Sequence, residues 1–222
     1  MTRIVRNSLV HLRDGALAIS LFNRFARAVR AVGTDRLRQT YQTTFWFKFG
    51  EPSCLPEEVI LALRSYLPRQ TRIAGVEWWL SRMYTTDVQV DFHRDRDEKL
   101  ALATGREIHP RISSLLFLNR VRGGALAVTR EPPDPDNPAL APSRVDFDLV
   151  APRSNRFVFF DGGLTHGVLD ARNQIPGSRF TDRSRLRRAL VMNWWHRRPQ
   201  GIGVFREASV YPELLLANRA QG

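Results

Sequence analysis

Apolar positions recur every four residues from Leu17 through Leu21 and Phe25 to Val29, while Arg24, Arg27 and Arg30 fall on other faces. That period predicts an amphipathic helix over 14–32, with Asp14 as its N-cap and Gly33 as its C-cap. Threonine and aromatic residues crowd 41–49, which reads as a strand ending at Gly50. Residues 56–67 form a second predicted helix. Pro56 suits its first turn, Glu57 and Glu58 complement its N-terminal dipole, and Pro68 stops it.

Beyond that helix the pattern changes to short runs separated by turn residues. Strands are predicted over 76–84, 88–92, 112–118, 125–129, 145–149, 156–160, 165–169 and 188–195. Closely spaced strands of this kind argue for a β-sandwich or barrel. The helices precede the strands instead of alternating with them, which argues against βαβ units. Two stretches read as loops. Residues 131–142 hold Pro132, Pro133, Pro135, Pro138 and Pro142, which no central strand accommodates, and residues 171–184 hold Asn173, Pro176, Gly177 and Asp182 among arginines.

A chain of 222 residues is expected to form a single domain, 1–222. Within it, 1–70 is expected to be a helical support, 72–196 the β core and 197–222 a C-terminal extension. No apolar run approaches the ~18–20 residues that span a bilayer. The stretch 15–22 is short, runs into Asn23 and Arg24, and lacks a small-residue cleavage pattern, so no signal peptide is read there. Cys54 is the one cysteine, which excludes an internal disulfide and a cysteine-based zinc site and points to a cytoplasmic location. The net charge is +12 and almost wholly arginine, since the lysines are Lys48 and Lys99. The basic residues are scattered, which fits coding bias, although an acidic partner would also suit them.

The segment most informative about chemistry is Asp91-Phe-His93-Arg94-Asp95-Arg-Asp97-Glu98. On an extended chain residues two apart point to one side, so His93 and Asp95 can converge on one cation. A third ligand must come from elsewhere, and His166, in Leu164-Thr-His-Gly-Val168, fits. Two histidines and one carboxylate make the facial set used by non-haem Fe(II) oxygenases, which leaves three positions open. A His-x-Asp pair taken alone is a common surface pairing.

Further motifs follow in order. They are Ile112-Ser-Ser-Leu-Leu-Phe-Leu-Asn119, Gly123-Gly-Ala-Leu126, Val150-Ala-Pro-Arg-Ser-Asn-Arg156-Phe-Val-Phe-Phe160, His166, and Arg187-Arg-Ala-Leu-Val-Met-Asn-Trp-Trp195. Over roughly 80–196 this order resembles the Fe(II)/2-oxoglutarate-dependent dioxygenases of the prolyl-4-hydroxylase-like branch. The resemblance implies a mainly β (α+β) protein with N-terminal helices, whose core is a cupin-like double-stranded β-helix, or jelly-roll. It implies Fe(II) held by His93, Asp95 and His166, with 2-oxoglutarate and O2 as cosubstrates. Arg187 takes the place of the basic residue that binds the distal carboxylate of 2-oxoglutarate, ahead of the small residue Ala189. Arg188 is its rival, because the two point to opposite faces of a strand, and Arg179 is a more remote one. Tyr84 resembles a tyrosine that hydrogen-bonds 2-oxoglutarate, and equally reads as a core aromatic. The strand before Asn119 carries Leu116 and Phe117 where relatives often place a tyrosine. Asp97, Arg94 and Arg179 are candidates to rim the pocket and favour an anionic substrate.

The implied activity is hydroxylation of an unactivated C–H bond in a small metabolite, amino acid or peptide side chain, with release of succinate and CO2. Two other readings stand beside it. The acidic run also resembles the AlkB-like nucleic-acid dealkylases, although Asn193 stands where those carry a second arginine on the last strand. A non-catalytic, cupin-like metal-binding protein is the reading of a different class.

Overall fold

The computed structural model describes residues 8–40, 43–69, 72–84, 92–133, 147–169, 186–208 and 210–216. The chain opens with β1 (Val10–Asp14), followed by helices α1 (Ile19–Val32) and α2 (Thr34–Gln39). Next come β2 (Phe45–Phe47), α3 (Leu55–Leu63) and β3 (Gly75–Tyr84). A short helix α4 (Glu98–Thr104) precedes β4 (Ile112–Phe117), β5 (Leu126–Thr129), β6 (Asp148–Val150), β7 (Arg156–Asp161), β8 (Thr165–Val168) and β9 (Leu186–Trp195).

Nine strands form two sheets with antiparallel pairing among the described residues. The larger runs β1-β7-β4-β9-β3-β2 and the smaller β6-β5-β8. This is the expected jelly-roll arrangement, a double-stranded β-helix. Period-two alternation divides each central strand between two environments. Leu190, Met192 and Trp194 of β9, with Leu116, Phe157, Trp78 and Leu80, meet Phe25, Val29, Leu37, Val59, Ile60 and Leu63 of the helices. Ala189 of β9 instead joins Leu115, Phe117, Val158 and Phe160, which pack against Leu126, Val128 and Val150 of the smaller sheet. The space between the sheets is therefore apolar at its centre. The C-terminal residues close the helix side, where Phe205, Tyr211 and Leu214 are buried in the same core.

The N-terminal region differs from its expected form. Asp14 is not a helix cap but the last residue of β1, where Arg156 donates to it from Nε at 2.6 Å. Gly15 turns the chain at φ +61°, and α1 starts only after Ala18. Leu17 continues the helical spacing, but its backbone is taken by Asn155, whose Oδ1 accepts from Leu17 N at 3.0 Å and whose Nδ2 donates to Leu17 O at 2.9 Å. A side chain thus satisfies the backbone groups that a helix would have used. Gly33 does end α1. The second helix spans Leu55–Leu63 and tightens into a 3-10 turn at Arg64–Tyr66. The region 1–70 also contributes both edge strands of the larger sheet, β1 and β2. Most of the two predicted loops, and of the predicted strand 88–92, lies outside the described residues.

Asp97 corrects another expectation. It does not rim a pocket, because only 1% of it is exposed. It caps α4, accepting from Leu100 N at 3.2 Å, and it takes Arg197 Nη2 at 2.6 Å and Gln200 N at 3.2 Å. Gly105, in the left-handed region at φ +69°, ends the same helix. A buried carboxylate with this many donors ties the segment after Asp95 to the C-terminal residues. Removing it costs a charged hydrogen bond to the partly exposed Arg197 and the cap of a helix N-terminus, so Asp97→Ala should destabilise the fold by about 2–4 kcal/mol. Urea unfolding should show a lower midpoint with an unchanged slope. A midpoint equal to that of the native chain would contradict this role.

Candidate metal centre

His93 and His166 meet through the backbone. His93 N donates to His166 O at 3.0 Å and His166 N to His93 O at 2.9 Å, as in an antiparallel bridge. Directly paired residues share a face, and the two imidazole rings lie 4.5 Å apart. Asp95, two residues on, reaches the same face as the period of an extended chain requires. His93 Nε2 lies 3.5 Å from Asp95 Oδ1, and His166 Nε2 lies 3.3 Å from Asp95 Oδ2. Among the described residues this is the one group of three His, Cys, Asp or Glu side chains disposed to hold a metal, with one donor atom from each within 4.8 Å of the others.

The surroundings fix the carboxylate. Ser113 Oγ, from the start of β4, donates to Asp95 Oδ2 at 2.9 Å. His109 Nδ1 meets the Asp95 main-chain oxygen at 2.7 Å, a role its sequence position before Pro110 did not signal. Gly167 packs closely beside the bridge, where a Cβ would stand 3.1 Å from the ring of Phe92 and press on it. Burial alone pushes the Asp95 carboxyl up. The charge of His166 beside it, with hydrogen bonds from His166 and His93, outweighs burial and holds it well below the usual carboxylate range. The three donors are graded in exposure: side chains of Asp95 and His166 are 12% exposed and that of His93 45%. The centre is therefore closed on the sheet side and open beside His93.

These donors fit a divalent first-row transition-metal cation. Adjacent ligands of an octahedral ion bound at ~2.1 Å stand about 3 Å apart, close to the spacing found between the carboxylate and each imidazole. Two nitrogens and one carboxylate on a single face leave positions for other ligands, whereas a closed structural zinc site takes four protein ligands.

The inner face of the larger sheet continues the site. Cross-strand register sets Glu77 of β3, Asn193 of β9 and Ser113 of β4 side by side. Asn193 is 3% exposed, and its Oδ1 has no hydrogen-bond partner among the described residues. Glu77 accepts from Trp195 Nε1 at 3.1 Å. Burial, reinforced by the negative charge of Asp95, pushes the Glu77 carboxyl up to about 7.

Arg187 and Arg188 separate as strand alternation demands. Arg187 is buried, on the face of Ala189 and Asn193; its guanidinium lies 4.9 Å from the Phe117 ring centroid, with Nη1 3.7 Å from Met83 Sδ. Arg188 belongs to the other face and is half-buried. Phe117 is the platform under Arg187. Arg94 Nε donates to Thr165 Oγ1 at 3.3 Å. Arg94 and Thr165 are the neighbours of the paired histidines, so this contact takes the Arg94 guanidinium to the face opposite the three donors. Arg179 lies outside the described residues, as does the side chain of Tyr84, whose backbone pairs with Leu186.

No protein-family model matches the chain, and a comparison with curated proteins finds no match. Solved structures do resemble it. A prolyl-4-hydroxylase from Pseudomonas putida superposes with a TM-score of 0.51 at 17% identity, covering 86% of this chain and 90% of that one. HygX from Streptomyces hygroscopicus, in a structure with nickel, 2-oxoglutarate and hygromycin B bound, gives a TM-score of 0.51 at 13% identity, covering 89% and 92%. At such identities the likeness shows the fold: this chain has the double-stranded β-helix of the 2-oxoglutarate oxygenases.

Ser113 supplies a direct test of the centre. Partners of metal-binding carboxylates typically contribute 10–100-fold to metal affinity. Ser113→Ala should therefore weaken Fe(II) binding about tenfold in an anaerobic competition titration while leaving the melting temperature within a few degrees. Unchanged iron affinity would show that Ser113 does not orient Asp95.

Proposed function

We propose that this chain is an Fe(II)- and 2-oxoglutarate-dependent dioxygenase that hydroxylates a C–H bond of a small metabolite, amino acid or peptide side chain, releasing succinate and CO2. The observation that carries the reading is the convergence of His93, Asp95 and His166 on one open face, within the fold found also in a prolyl-4-hydroxylase and in HygX. Bound iron with 2-oxoglutarate supplies the oxidising power, by coupling decarboxylation of the cosubstrate to activation of O2. The protein's own residues hold and orient. His93 and His166 would each offer a ring nitrogen to the iron, and Asp95 would offset part of its charge. Phe160 packs its ring 5.1 Å from that of His166 and keeps solvent off its inner side.

Arg187 is the residue proposed to take the distal carboxylate of 2-oxoglutarate. It lies between the sheets on the strand that also carries Asn193, and a buried planar guanidinium suits a carboxylate. Tyr84 remains a proposed second contact. The substrate class follows the neighbours only broadly: one is a prolyl-4-hydroxylase, and the other is seen with hygromycin B bound. A peptide or small-molecule substrate is proposed over nucleic acid, because Asn193 brings no charge where a dealkylase resembling this sequence would carry arginine. Among the described residues no helix is long and apolar enough to cross a membrane. The proposed cytoplasmic location rests on the lone thiol, Cys54, which is buried.

Binding of 2-oxoglutarate to the nickel-loaded protein separates the two arginines. Losing charged hydrogen bonds costs about 1.5–3 kcal/mol, so Arg187→Met should raise the Kd by about 10- to 100-fold and spare nickel affinity. Arg188→Met should leave both unchanged. A loss confined to Arg188→Met would overturn the assignment. With iron and O2, succinate should form from 2-oxoglutarate. Metal and 2-oxoglutarate binding with no succinate, across candidate substrates, would favour a non-catalytic metal-binding protein.

A further inference from the structure

We propose that Asn119 is a positioning residue for the cosubstrate, fixing the main chain on both sides of Arg187; this rests on the dioxygenase reading above. The strand β4 pairs with β9 from Ile112 opposite Trp194 as far as Phe117 opposite Ala189. One further backbone bond follows, Leu118 N to Arg188 O at 3.0 Å. The main chain then leaves the sheet, and Gly123 and Gly124, at φ +79° and +68°, turn it toward β5.

At the point of departure the Asn119 side chain takes over the ladder. Its Nδ2 donates to Leu186 O at 2.7 Å and its Oδ1 accepts from Arg188 N at 2.9 Å. A carboxamide has the donor and acceptor of a peptide group, so it substitutes for the next residue of β4 and satisfies both backbone groups that β9 presents there. These two bonds bracket Arg187. On its other side β9 is held by β3, with Met83 opposite Arg187. Arg187 is thus clamped from both neighbouring strands although it is the second residue of its own strand.

The consequence is geometric. A slip of one residue at this end exchanges Arg187 for Arg188 on the inner face, because side-chain direction alternates. Asn119 opposes that slip with two bonds that read the backbone on either side of one residue. The requirement is specific for an amide of this length. A carboxylate in its place would keep an acceptor for Arg188 N but set an oxygen against Leu186 O, and an apolar side chain of similar shape would satisfy neither group.

The test uses the full nickel-loaded chain with two ligands, 2-oxoglutarate and pyruvate. Pyruvate keeps the 2-oxo acid that chelates a metal and lacks the distal carboxylate. Asn119→Asp and Asn119→Leu should each raise the Kd for 2-oxoglutarate by about 3- to 10-fold, because loss of one or two net hydrogen bonds lets the register that presents Arg187 populate only in part. The Kd for pyruvate and for nickel should not move, a split that a merely structural role does not produce. Unchanged 2-oxoglutarate affinity in both variants would overturn the proposal, as would parallel losses for pyruvate and 2-oxoglutarate. If the leucine variant does not fold, the near-isosteric aspartate variant decides. Arg187→Met is run alongside. If it weakens 2-oxoglutarate while the Asn119 variants do not, the clamp is wrong and the Arg187 assignment stands. If Arg187→Met has no effect, the assignment itself is wrong.

Discussion

Two backbone hydrogen bonds between His93 and His166 carry the arrangement of this site. They join segments that are 73 positions apart in the sequence and set two imidazoles on one face without any side-chain contact being needed. Everything else at the centre refines that pairing. Asp95 follows by the two-residue period, Ser113 and His109 hold its carboxylate and its carbonyl, and Gly167 leaves room for Phe92 beneath the bridge. The paired backbones of His93 and His166 set two of the three donors on one face before any ion arrives.

The larger sheet contributes through its register. A single inner face holds the polar row Glu77, Asn193 and Ser113 behind Asp95, an apolar middle at Ala189, Leu115 and Val158, and the buried Arg187 farther along β9. Because β9 is central, with β4 on one side and β3 on the other, Asn193 and Arg187 hold fixed positions relative to each other. Helices α1, α2 and α3 pack away from this face. They cover the opposite one, and in doing so bury Trp78, Trp194 and Met192 and stiffen the sheet that aims the functional residues.

Much of this was legible in the sequence because alternation and turn residues report a half-buried strand directly. The strands 112–118, 156–160 and 165–169 were placed within a residue or so of β4, β7 and β8. The convergence of His93 and Asp95 was legible from their spacing, and His166 from the order of motifs around it. Other features depend on contacts the local pattern cannot carry. The apolar spacing that begins at Leu17 does not show that Asn155 will capture its backbone. Asp97 reads as a residue of the pocket rim, yet it is buried, because its partners Arg197 and Gln200 lie far along the chain. A capping residue before Glu98 and a glycine at 105 are the sequence signals of α4. The choice between Arg187 and Arg188 turns on register alone. Asn119 was legible as the end of a motif, while its bonds to β9 required the fold.

The most direct test of the account is an anaerobic titration of Fe(II) and 2-oxoglutarate into the apoprotein, following the weak visible charge-transfer band of an iron–2-oxo acid chelate. The account predicts that the band saturates at one equivalent of each and is absent from Asp95→Ala. Iron that binds the native chain without producing the band would contradict it.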